Sequence, residues 1–132
     1  MDSFPCYECL EIPIELEWKY KQHIIDKHFN QGSDENISFF CRDISVRMVL
    51  EKFKAMLRAG ILRGELGRFE RLIYHCPFED GIGTFPIEHP CGNIERCKTR
   101  YVRVICDTIE CRNCGRLVPT WVVTMFPEEF YN

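Results

Sequence analysis

Cys6 and Cys9 have two residues between them, and thirteen residues beyond Cys9 comes His23, followed after four more by His28. Thiolate and imidazole are preferred ligands of zinc, which takes four of them in a tetrahedron. A C-x2-C turn aims two sulfurs at one point, and two histidines about one helical turn apart can present two nitrogens to it. A second cluster follows. Five residues separate Cys91 from Cys97, and Cys111 and Cys114 form another C-x2-C pair with Gly115 directly after it. Glycine at that point lets the backbone curl so that amide N–H groups face the sulfurs. Cys91, Cys97, Cys111 and Cys114 make the second expected site, with Cys76, Cys106 or His89 able to replace one of the looser pair. Both sites fill all four positions with protein, which leaves none for a catalytic water.

The first set resembles the zinc finger of two cysteines and two histidines, C-x2-4-C-x12-H-x3-5-H, with the middle one residue longer. Phe4 and Tyr20 fall where that family places its small core. The CxxCG run resembles the zinc knuckle of zinc ribbons. These resemblances imply zinc as the cofactor, a finger-like unit over residues 1–30 and an α+β domain over residues 37–132 carrying the second cluster. Where such fingers read bases, this chain has Leu16, Trp18, Lys19 and Gln22, with Glu11, Glu15 and Glu17 close by. A finger this acidic is expected to be structural or protein-binding.

The elements that must position these ligands follow from composition and periodicity. The chain has 132 residues, of which 45% are apolar and 13% aromatic, enough for a folded core. Nine cysteines, an odd number, with no basic-then-apolar leader at the start, point away from a disulfide scaffold. The expected setting is a reducing one, cytoplasmic or nuclear, and no apolar run approaches the length of a membrane span. Cys41, Cys76 and Cys106, each among apolar neighbours, read as buried thiols. The net charge of -3 is unevenly spread: residues 41–72 hold eight bases against four acids, so a polyanion is expected to meet that segment.

Pro13 suits the first turn of a helix whose stripe is Ile14, Leu16, Tyr20, His23, Ile24 and Phe29. Residues 30–36 are polar and turn-like. Asp43 is placed to cap a second helix carrying Ile44, Met48, Val49, Phe53, Met56 and Leu57, with Gly60 closing it. Its exposed side offers Arg47, Lys52, Lys54 and Arg58 as nucleic-acid contacts, with Arg42, Arg63, Arg68 and Arg71 nearby. Residues 68–76, 100–108 and 117–126 are β-branched and aromatic, hence strands, while 79–86 and 89–93 carry turn chemistry. Helices followed by a small antiparallel sheet give an α+β fold.

A further pattern competes for the histidines. "HIIDKHF", "SFF", a basic helix, "GIGT", "RVICD" and "VVTMFP" in this order resemble small ribonuclease toxins of the barnase/EndoU/RelE-like fold. That resemblance implies His23 or His28 as general acid or base, Arg100 or Arg103 on the phosphate and Thr124 orienting it, without a metal. A zinc-bound imidazole cannot carry a proton, so the two readings exclude each other at His23 and His28. The leading expectation is a zinc-binding regulatory factor whose partner is a protein or a nucleic acid. The alternative is an endoribonuclease.

Overall fold

The structure is a computed structural model that describes residues 7–29 and 37–129. Short helix α1 (Tyr7–Glu11) leads through β1 (Glu15–Leu16) into α2 (Trp18–Ile24), which widens into one π-helical turn, Ile25–Phe29. After β2 (Phe39–Phe40) comes the long helix α3 (Val46–Arg58), then β3 (Glu65–Leu66) and a 3-10 turn, Arg68–Glu70. Five further strands follow: β4 (Leu72–Pro77), β5 (Gly83–Glu88), β6 (Ile94–Thr99), β7 (Tyr101–Glu110) and β8 (Leu117–Pro127). The fold is α+β. None of the described helices is long and apolar enough to cross a membrane.

A five-stranded sheet runs β1-β8-β7-β4-β3, and a three-stranded antiparallel sheet runs β2-β5-β6. The larger sheet is mixed rather than antiparallel throughout, because β1 lies parallel to β8, Glu15 opposite Trp121 and Leu16 opposite Val122. This pairing also moves the expected helix start. The open edge of β8 offers backbone partners to Glu15 and Leu16, so these two extend, and the helix begins at Trp18 instead of near Pro13.

Alternation builds the core. Tyr74 and Cys76 of β4 and Val102, Val104 and Cys106 of β7 are buried, while the residues between them are half-exposed. Onto this face α3 lays Val46, Val49 and Phe53 at helical spacing, with the Phe53 ring edge-on to Tyr74 at 5.3 Å. Ile24 of α2 belongs to the same buried cluster, with Leu16 and Phe29 packed against it, so residues 14–29 share the core of the sheet. Helix α3 is capped two residues later than the sequence suggests. Ile44 N–H closes a turn onto the Cys41 carbonyl at 3.1 Å, and Ser45, not Asp43, accepts from Met48 N–H at 3.2 Å. Gly60, at φ +74°, follows the helix as expected.

Strand β5 takes residues 83–86 out of the turn expected over 79–86, which keeps its bends at Glu79 and Asp80, while the turn expected over 89–93 stands around Gly92 between β5 and β6. In β8 the period of two is broken. Ile105 faces Thr124 and Cys106 faces Val122, so Val123 is an extra, bulged residue; a second shift near Asp107 adds Thr120. Val118, Val122, Met125 and Pro127 are buried at the uneven intervals that these bulges impose.

Candidate metal centre and basic groove

Strand β7 ends at Glu110, Cys111 follows directly, and the chain returns into β8 through a turn that carries Cys114. Cys111 N–H bonds the Arg116 carbonyl and Gly115 N–H bonds the Cys111 carbonyl, both at 2.8 Å. Gly115 holds φ +72°, which a side chain would resist. The turn thereby folds its two thiols to one side, and α1 delivers Cys9 to them. The three sulfurs lie within 4.8 Å of one another, with Cys9 Sγ 3.4 Å from Cys114 Sγ. A tetrahedral ion with metal–sulfur bonds of about 2.3 Å keeps its sulfurs roughly 3.8 Å apart, so this group can hold a metal ion. Cys9 and Cys111 are buried against Val118 and Ile12, and Cys114 is exposed.

The structure thus draws one member, Cys9, from the first expected cluster and two, Cys111 and Cys114, from the second. Cys6 lies outside the described residues. No group of three or more metal-competent side chains among the described residues includes His23, His28, Cys91 or Cys97. Cys91 is exposed in the β5–β6 turn, and Cys97 sits on β6 in the smaller sheet, its thiol directed to Glu95 Oε2 at 3.7 Å. That sheet shares no strand with the β7–β8 hairpin, and among the described residues the thiol grouped with Cys111 and Cys114 is that of Cys9. Cys76 and Cys106 are fully buried core thiols; burial pushes Cys76 up to about 12 and Cys106 higher still, so both are inert. His89 stands apart, 3.8 Å from Glu95.

The histidines line a different feature. An open groove of roughly 900 Å³ lies between α2 with its π turn and the far half of β8. Lys19, His23 and Lys27 recur at steps of four on the helix and face it together, with His28, Ser38, Arg71 and Thr124. Among the described residues no Asp or Glu lines this groove. Arg71 is anchored, its Nε donating to Asp107 at 2.8 Å. Tyr20 and Phe126 contribute aromatic faces.

His28 is buried and stacks on Phe126 with ring centroids 5.3 Å apart. Its Nδ1–H donates to the Ser38 carbonyl at 2.8 Å, which in the neutral ring leaves the lone pair on Nε2. Desolvation by burial lowers its pKa below the ordinary histidine value, outweighing the Ser38 bond; Lys27 and His23 add to the lowering. The bulge at Val123 turns Thr124 into the same groove.

Arg100 does not line the groove. Its guanidinium donates to the Phe78 carbonyl and the Tyr101 hydroxyl. Arg103 crosses beside Phe126 and binds Glu128 Oε2 at 2.6 Å, while His75 Nδ1 takes the other oxygen of that buried carboxylate. The α3 cations also miss the groove. Arg47, Lys54 and Arg58 share one stripe of the helix, whereas Lys52 projects roughly 140° away from it, so the four do not form one surface. Lys19 was named only as a would-be base-reading position of the finger, and Lys27 and Ser38 were not singled out by sequence; the four-residue recurrence of Lys19, His23 and Lys27 was the available signal. In comparisons with known proteins, no family model, no curated protein and no solved structure matches this chain.

Proposed function

We propose that this protein is a zinc-clasped, nucleic-acid-binding factor whose contact surface is the groove along α2 and the far half of β8. One observation carries the reading: Lys19 and Lys27 converge there with His23 and with Arg71, itself anchored on Asp107, and no carboxylate is among the described lining residues. Such a field favours a phosphate backbone, and Tyr20 offers a flat face on which an unpaired base stacks. Single-stranded RNA is therefore the favoured ligand class. Soft thiolates select zinc over magnesium or calcium at the cysteine group. Cys6 is the fourth ligand on this reading, since Cys6 and Cys9 repeat the C-x2-C spacing of Cys111 and Cys114. With four thiolates the ion is structural.

Purified protein is expected to carry about one zinc per chain, and a content near zero rejects the clasp. Binding of a single-stranded RNA across a salt series tests the groove. Lys19→Ala with Lys27→Ala is expected to weaken binding and to flatten the salt slope by about 0.7 per lost phosphate contact. Lys52→Ala with Arg58→Ala is expected to change neither. The reverse pattern would move the interface to α3.

A second reading, RNA cleavage, is favoured by the state of His28. A neutral imidazole with Nε2 unprotonated can take the proton of a ribose 2′-OH, whose oxygen then attacks the adjacent phosphorus. Lys19 and Lys27 stabilise the developing charge, Thr124 orients the phosphate, and His23 donates a proton to the departing 5′-oxygen. Incubation with RNA would then yield cyclic-phosphate ends, lost in His28→Ala. Intact RNA under wild-type protein eliminates cleavage and leaves binding in place.

A further inference from the structure

A second cavity, of roughly 530 Å³, shares no lining residue with the groove. It lies between the end of α3, residues 60–64 and the start of β8. Its interior is aliphatic, with Ile14, Leu57 and Leu72 among its walls. Its rim is cationic: Lys54, Arg58, Arg63 and Arg116 line it, and among the described residues no acid does. Lys54 has only a long contact to exposed Glu51, at 4.0 Å, and no described carboxylate pairs with Arg58 or Arg63.

At the back stands Tyr74, only 4% exposed. A buried phenol ordinarily finds a hydrogen-bond partner. No hydrogen bond to the Tyr74 hydroxyl is found among the described residues, and Tyr74 lines the cavity. Burial raises its pKa, so the hydroxyl stays protonated and can donate. Gly64 makes the approach to this ring possible, since a Cβ there would come within 2.9 Å of Tyr74 Cζ.

We propose that this cavity binds a small amphiphilic organic anion. The apolar body fills the aliphatic interior and the carboxylate or phosphate head meets Arg58 and Arg63. Tyr74 donates to a polar atom of the ligand. The volume falls in the usual range for small-molecule sites, roughly 300–1,000 Å³, and a few placed polar groups in an apolar wall are their usual make-up. The two arginines favour a planar or tetrahedral oxyanion over a neutral head.

Calorimetric titration of the metal-loaded full chain with decanoate, below its micellar concentration, tests this. Decanoate is expected to bind saturably, while decylammonium, with an equal apolar chain and opposite charge, does not. Arg58→Gln with Arg63→Gln is expected to weaken decanoate binding by about tenfold or more. Tyr74→Phe is expected to weaken it severalfold. Absence of saturable decanoate binding, equal binding of the two probes by the wild type, or an affinity unchanged in the arginine variant overturns the proposal. The comparison of the two probes needs no variant to fold.

Discussion

Strand β8 joins two regions built by opposite means. At its start, Cys111 and Cys114 come from one tight turn and meet a single residue, Cys9, from α1. At its far end, Lys19, His28, Ser38, Arg71 and Thr124 come from four separate stretches of chain and enclose an open groove. An ion tolerates errors of only a few tenths of an ångström in ligand distance. A short turn with its own hydrogen bonds supplies that precision. The polymer of phosphates proposed for the groove would be attracted by summed charge over a wide surface, so no single distance there would be critical. One region is expected to govern stability and the other binding.

The largest effect that separates them is metal removal. Structural zinc in finger peptides contributes on the order of 10–16 kcal/mol, comparable with the roughly 5–15 kcal/mol that keeps a whole domain folded. Chelation of the wild type, or Cys111→Ser, is therefore expected to abolish or severely lower the cooperative melting transition followed by circular dichroism. Lys19→Ala with Lys27→Ala, on an exposed helix face, is expected to leave that transition nearly in place. A melting curve indifferent to chelator would break the contrast, reducing the cysteine end to ordinary packing of Cys9 and Cys111 on Val118.

The sequence made one of these regions partly legible and the other scarcely so. The CxxCG turn, α3 and the cores of β4, β7 and β8 follow local rules: glycine punctuation, helical spacing and β-branched runs. Which thiols meet is a question of topology. Cys9 is 105 residues from Cys114, and only the parallel addition of β1 to β8 brings α1 to the turn. The histidine spacing of the N-terminal segment looks like a finger, but Ile24 and Phe29 are committed to the sheet's core, and the π turn carries His28 toward Ser38. Thr124 was visible as a candidate from a short motif. The bulge that aims it was not, because a one-residue excess on β8 has no local sign in "TWVVTMF".

A smaller effect sharpens the contrast at the groove end, where no ion is needed. The buried Glu128 carboxylate binds Arg103 at 2.6 Å and also His75, and the Thr99 hydroxyl donates to the Glu128 carbonyl at 2.7 Å. These contacts fasten the end of β8 to β4, β6 and β7. Glu128→Ala removes the shared acceptor but leaves Arg103 and His75 partly solvated, so the expected loss is about 1–3 kcal/mol in urea denaturation. A loss close to that of Cys111→Ser would mean that both ends of β8 are equally indispensable, and the division of labour would fail.

The smallest effect concerns His28 and is read from pH. Its folded pKa lies below the ordinary value of 6.5, mainly because burial disfavours the imidazolium. As pH falls through about 6.5, the unfolded chain takes up a proton that the folded ring still refuses, so stability falls with acidification. The decline ends once pH passes below the folded pKa, and its slope cannot exceed roughly 1.4 kcal/mol per pH unit for one proton. His28→Asn keeps an N–H for the Ser38 carbonyl and removes the titration. Urea midpoints of wild type and variant are therefore expected to run together above pH 6.5 and to diverge below it, the wild type losing more. Parallel curves would show that the ring is solvated when folded, and the neutral Nε2 on which RNA cleavage depends would lose its physical basis.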